Sequence, residues 1–156
     1  MRIAIVGSGG VGGYFGARLA QAGHELLFVA RGAHLEEMRR SGLRVIGSDG
    51  SESLVEGIEL TETAEGIDPV DLALVCVKTW QLVSTFPILR HLVGPNTAIL
   101  PLLNGVRSHE VLTSAFDPER VLGGYCKIIS AIDAPGVVRH VGAEPTIHLG
   151  ALREGQ

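Results

Sequence analysis

Three glycines fall at Gly7, Gly9 and Gly12 within the run Gly7-Ser8-Gly9-Gly10-Val11-Gly12. This spacing suits phosphate chemistry. The first glycine lets a chain turn sharply out of a strand. The second has no Cβ, so a pyrophosphate can lie against the backbone. The third lets a helix pack closely on the strand. Unpaired N–H groups at the helix start, with the positive end of the helix dipole, then face the anion. The surrounding residues fit this demand. Arg2 to Val6 is an apolar run rich in Ile and Val, as expected of a buried parallel strand. From Gly10 to Ala22, Val11, Phe15, Leu19 and Ala22 share one helical face, and Gly23 can cap the helix. No Gly-Lys-Ser/Thr follows the loop, which excludes a Walker A site.

The end of the next strand selects among dinucleotides. An NAD site places Asp or Glu there to accept from the ribose hydroxyls. Here Leu26 to Ala30 runs into Arg31-Gly32 with no carboxylate, and Glu25 lies at the strand's other end. Arg31 can pair bidentately with a 2′-phosphate and stack on adenine. The expected cofactor is therefore NADP(H), and the missing acid also counts against S-adenosylmethionine. Lys78 follows the apolar run Asp71 to Val77, and Asn104 follows Thr97 to Leu103. Alone, they read as a surface lysine and an Asn-Gly turn. Behind a glycine loop, at the carboxyl ends of parallel strands, both are expected to line a nicotinamide cleft.

These residues require an α/β scaffold. Strands are expected at Arg2–Val6, Leu26–Ala30, Asp71–Val77 and Thr97–Leu103. Helices are expected at Gly10–Ala22, Ala33–Ser41, Gln81–Leu92 and Val106–Ala115. Leu43–Ile46 and Leu54–Leu60 flank Ser48-Asp49-Gly50-Ser51, a hairpin signal. Short strands are expected at Val121–Ile129, Val137–Val141 and Thr146–Leu149. The pattern predicts a Rossmann-type, doubly wound, mostly parallel sheet with added β strands at the C-terminal edge. At 156 residues, one domain spanning 1–156 is the natural count.

Composition narrows the partners. Thirteen Lys and Arg against 17 Asp and Glu give a formal charge of −4, with no basic stripe for nucleic acid. No apolar run approaches the ~20 residues of a membrane span, and no signal-peptide pattern precedes the first strand, so the expected location is cytoplasmic. Cys76 and Cys126 show no ligand or redox spacing and read as buried, reduced thiols. The six histidines, His24, His34, His91, His109, His140 and His148, show no metal spacing and read as surface, cap or strand residues. No metal site is expected.

Taken in order, Gly7 to Gly12, Arg31, Val77-Lys78-Thr79-Trp80-Gln81, Asn104-Gly105-Val106 and Pro135 to His140 resemble the N-terminal domain of the ketopantoate reductase (2-dehydropantoate 2-reductase) family. The resemblance spans essentially the whole chain. It implies NADPH-dependent reduction of a small 2-keto acid, ketopantoate to pantoate, on the way to coenzyme A. It also implies that Lys78 and Asn104 contact cofactor and substrate, and that Ala131 sits near the nicotinamide. Leu103 stands where the family commonly has Gln or His. The family's catalytic lysine and a substrate-binding carboxylate lie in a helical C-terminal domain, which would begin where this chain ends. Lys127, in a strand-like run, is expected to be structural or solvated rather than a substitute acid. A homodimer or association with a C-terminal domain is also expected. Two other readings stand beside this one: a non-catalytic NADP(H)-sensing module, and a related reductase acting on a different keto acid.

Overall fold

The computed structural model describes residues 1–152. In chain order the elements are β1 (Arg2–Val6), α1 (Gly10–Gln21), β2 (Glu25–Val29), α2 (Gly32–Ser41), β3 (Leu43–Ile46), β4 (Glu52–Val55), β5 (Glu59–Thr61), β6 (Leu72–Val75), α3 (Phe86–Leu92), β7 (Ala98–Pro101), α4 (Ser108–Thr113), β8 (Gly123–Ala134) and β9 (Val137–Gly150). Five strands form a parallel sheet in the order β5-β2-β1-β6-β7. With the β3–β4 hairpin set aside, this is the 3-2-1-4-5 order of a doubly wound fold, and the order reverses between β1 and β6. The added strands form a sheet of their own, β4-β3-β9-β8. There β3 runs parallel to β9, with Val45 opposite Val138, and antiparallel to β4.

Strand β1 shows why the sheet is stable. Ile3 to Val6 are each at most 1% exposed, and burial of each large aliphatic chain contributes about 1.5–3 kcal/mol. Alternation sends Ile3 and Ile5 to one face and Ala4 and Val6 to the other. The first face joins Tyr14, Phe15, Phe28 and Leu35 in a core that continues to Val45 and Val138 of the second sheet. The second joins Leu27, Val75, Leu89 and Leu112 under α3 and α4. Helix α1 therefore lies between two sheets. It can do so because its glycines face both ways. A methyl at Gly16 would stand 2.5 Å from the Phe28 ring, and one at Gly13 would stand 2.7 Å from Val138.

The structure departs from the sequence expectation in three places. The run Leu54–Leu60 is not one strand. Gly57, with φ +67°, breaks it, so β4 completes the hairpin while β5 pairs with β2 in the parallel sheet. The helix expected at Gln81–Leu92 begins as two 3₁₀ turns, Thr79–Gln81 and Val83–Thr85, and becomes α-helical only at Phe86. Pro87 stands in its first turn, where a residue without an N–H starts a helix well but cannot continue one from upstream. The late short strands are two long ones, β8 and β9, joined at Pro135-Gly136. Register shifts between Lys127 and Ile129 and between Ile132 and Ala134 interrupt their pairing, which hid their continuity in the sequence.

Candidate functional site

The cleft opens where the strand order reverses, above the carboxyl ends of β1 and β6, and encloses about 630 Å³. That volume suits a small-molecule or cofactor site. Gly7 to Val11 form its floor, with Arg31, Lys78 and Asn104 on its walls. Residues far apart in sequence thus line one cleft.

Each glycine has a distinct physical reason. Gly7 leaves β1 with φ +101°, a conformation side chains rarely adopt. Its N–H donates to the Val29 carbonyl at 3.2 Å, tying the turn to β2. A methyl at Gly9 would meet nothing within 4 Å, so the backbone there faces open space. A methyl at Gly12 would overlap the Gly7 carbonyl oxygen and stand 2.9 Å from Ile5. Gly12 therefore sets helix–strand packing and does not line the cleft. Among the described residues, the N–H groups of Ser8 and Gly9 have no backbone acceptor, which suits them to an anion.

Arg31 is exposed at the start of α2, and among the described residues it forms no ion pair. Glu62 lines the same cleft. It follows β5, whose Thr61 sits opposite Val29, and the Ala30 N–H donates to the Thr61 carbonyl at 3.0 Å. Sequence reasoning sought an acid only at the end of β2 and missed this one. No local signal marks it, because the parallel pairing of β5 with β2 brings it there.

At the other end, Lys78 follows β6 and Asn104 follows β7. The Thr79 hydroxyl donates to the Asn104 carbonyl at 2.8 Å, linking the two loops. The Gln81 side chain accepts from the Lys78 N–H at 3.2 Å and closes the turn that presents Lys78. Leu103 lines the wall beside Asn104, apolar and 8% exposed. Trp80 stands at the rim, 81% exposed.

Three expectations need correction. Ala131 does not line the cleft. Its neighbours Ser130 and Ile132 do, because side chains alternate along β8 and Ala131 faces outward. The Ser130 hydroxyl is buried in that wall without a hydrogen-bond partner among the described residues. Cys76 is not wholly enclosed but lines the cleft. Burial, with Cys126 nearby, pushes its thiol far up, so it is no thiolate nucleophile. His34, read as a surface or cap residue, lines the cleft and contacts the glycine loop: its Nε2 lies 2.9 Å from the Ser8 carbonyl oxygen. Lys127 is exposed on the outer face of β8, as expected of a solvated residue. Among the described residues no cluster of His, Cys, Asp or Glu could hold a metal, and no helix is long and apolar enough to cross a membrane.

Comparison with known proteins agrees with this geometry. The family model described as ketopantoate reductase PanE/ApbA matches residues 3–154. A 2-dehydropantoate 2-reductase of Mesorhizobium japonicum is 33% identical, over 90% of this chain and 49% of its own length. A crystal structure of 2-dehydropantoate 2-reductase from Geobacter metallireducens superposes with a TM-score of 0.90 at 36% identity, covering 97% of this chain and 49% of that one. A ternary structure of D-mandelate dehydrogenase with NADH and anilino(oxo)acetate superposes with a TM-score of 0.90 at 28% identity, covering 99% of this chain and 50% of that one. The chain spans about half the length of these relatives. With a doubly wound sheet, a glycine loop at its switch point and a family match over nearly all its residues, the chain belongs to the ketopantoate reductase family of oxidoreductases.

Proposed function

We propose that this chain is the NADPH-binding half of a 2-keto acid reductase, with ketopantoate as the keto acid. The observation that carries the reading is one cleft with polar groups suited to each part of the pair: glycine-loop amides for pyrophosphate, Arg31 for a 2′-phosphate, and Lys78 with Asn104 at the reacting end. The residues present fit the cofactor. The space a Gly9 side chain would fill is open, and the Gly9 N–H has no backbone acceptor among the described residues. When bound, the nicotinamide supplies hydride to the ketone carbon.

The chain's own groups then do electrostatic and orienting work. The Lys78 ammonium stabilises negative charge that develops on the ketone oxygen. The Asn104 amide offers donors and an acceptor to orient the substrate, on a loop held by the Thr79 hydroxyl. Leu103 keeps that wall apolar and favours an aliphatic keto acid over a strongly polar one. The proton for the alkoxide comes from a general acid in a helical domain outside residues 1–156. Residues 1–156 thus bind NADPH but turn over little or no ketopantoate, whereas the complete enzyme reduces it. Steady-state NADPH oxidation with ketopantoate tests this. Substantial turnover by residues 1–156 alone contradicts the placement of the acid, and an inactive complete enzyme contradicts the substrate.

A second cofactor reading has one observation in its favour. Glu62 shares the cleft with Arg31 and can accept from a ribose hydroxyl, as NADH sites require. Paired affinities for NADPH and NADH separate the two readings.

A further inference from the structure

We propose that His34 is a positioning residue for dinucleotide binding, locking the glycine loop to the turn between β8 and β9 so that the Gly9 N–H is held for the pyrophosphate. The proposal rests on the dinucleotide reading above, but not on which of the two nicotinamide cofactors is preferred.

Two hydrogen bonds carry it. The Gly136 N–H donates to His34 Nδ1 at 3.0 Å, and His34 Nε2 lies 2.9 Å from the Ser8 carbonyl oxygen. A backbone N–H can only donate, so Nδ1 must be the unprotonated nitrogen. The ring proton is therefore on Nε2 and donates to Ser8. Both ring nitrogens are satisfied only in this neutral tautomer. Burial favours it too, holding the His34 pKa below its ordinary value against the opposing bond to Ser8.

The bridge joins three parts of the fold. His34 belongs to α2, Ser8 to the loop after β1, and Gly136 to the β8–β9 turn. That turn is itself pinned, because the Gly136 carbonyl accepts from the Arg44 N–H at 2.9 Å. Gly136 has φ +72°, and a methyl there would stand 2.7 Å from Glu37. Among the described residues no other side chain hydrogen-bonds to Gly7 through Gly12. His34 is thus the side-chain restraint on the loop.

The restraint acts through peptide geometry. No cis peptide bond occurs among the described residues, and in a trans unit the carbonyl and the following N–H point in opposite directions. Holding the Ser8 carbonyl therefore fixes the direction of the Gly9 N–H, which has no backbone acceptor among the described residues. Without His34 the Ser8–Gly9 peptide can rotate, and binding must then order it.

The test is calorimetric titration of wild type, His34→Ala and His34→Gln with NADPH, NADH and ADP. All three ligands share the pyrophosphate. The Ala variant is expected to bind each about tenfold more weakly, equivalent to roughly 1.4 kcal/mol, with the NADPH-to-NADH ratio unchanged. Gln offers one donor and one acceptor and is expected to restore affinity to within about threefold. Unchanged affinity in a folded Ala variant overturns the proposal. A wild-type NADPH-to-NADH ratio of one overturns only the cofactor preference. Should the Ala variant not fold, nitrogen-15 NMR of wild-type His34 decides. A neutral ring protonated on Nε2 at pH 7 is expected, and a ring protonated on Nδ1 overturns the proposal.

Discussion

At the glycine-loop end of the cleft, the backbone from Gly7 to Gly12 runs into a helix packed between two sheets, where even Ser8 is only 5% exposed. At the end proposed for the nicotinamide, Lys78, Asn104 and Val106 stand on loops and Trp80 on a 3₁₀ turn, with Trp80 81% and Val106 83% exposed. The first region is preorganised by this chain, because glycine contacts and the His34 bridge fix its backbone. The second is held mainly by the link from Thr79 to Asn104 and the turn closed by Gln81. The difference teaches that, on the proposed function, cofactor binding and substrate chemistry are separable. On the proposed reading a phosphate site needs a rigid scaffold, and the glycine-loop end has one.

The strongest way to break the contrast is within the glycine loop. Gly12→Ala places a methyl on the Gly7 carbonyl oxygen and is expected to cost about 3 kcal/mol of stability, read as a lower urea midpoint. Gly9→Ala places its methyl in open space. It is expected to keep stability within about 0.5 kcal/mol yet weaken NADPH on the order of 100-fold, because the methyl occupies phosphate space. If both variants lose stability equally, Gly9 is structural and its assigned role is wrong.

Smaller effects sharpen selectivity. Arg31→Ala is expected to weaken NADPH about tenfold and NADH less than about twofold, since a charge-assisted bond contributes roughly 1.5–3 kcal/mol. Glu62→Gln is expected to shift the ratio about threefold toward NADPH by removing a negative charge near a 2′-phosphate. Paired titrations of both cofactors check each change. At the opposite end, Trp80→Ala is expected to alter stability by less than about 0.5 kcal/mol, because the ring is largely solvated. A large loss on thermal unfolding would show that this rim is part of the core.

The smallest effect is a pH dependence. The folded state holds the His34 pKa below its ordinary 6.5, so the unfolded chain binds the proton more readily. Stability from this residue is full above pH 6.5 and is lost as pH falls through the lowered folded value. Arg31 and Glu62 line the same cleft, and Glu37 packs on Gly136. The carboxylates with depressed pKa, Glu37 and Asp133 among them, lose their contribution at still lower pH. His34→Gln is therefore expected to flatten the thermal midpoint only in the upper part of the acid limb.

The sequence made the glycine-loop end of the cleft legible because its determinants are local. Strand, glycine loop and helix adjoin in the chain, and β1 runs over the expected residues Arg2–Val6. Lys78 and Asn104 could be expected at the cleft they line for the same reason: each directly follows an apolar run. What stayed hidden depends on distant pairing. Glu62 reaches the cleft only because β5 lies beside β2. His34 gains its role from Gly136, 102 residues away. The second sheet needs β3 to pair with β9, which no local pattern announces. Ala131 was displaced by one position of strand alternation, so the walls fell to Ser130 and Ile132 instead.

The most direct test of the account is calorimetric titration of residues 1–156 with NADPH and with NADH. The account predicts saturable one-to-one binding of both, with NADPH tighter by about tenfold or more, the value of one charge-assisted bond to a 2′-phosphate. Equal affinity would contradict the NADP(H) assignment, and no binding of either cofactor would contradict the claim that this chain alone builds the phosphate site.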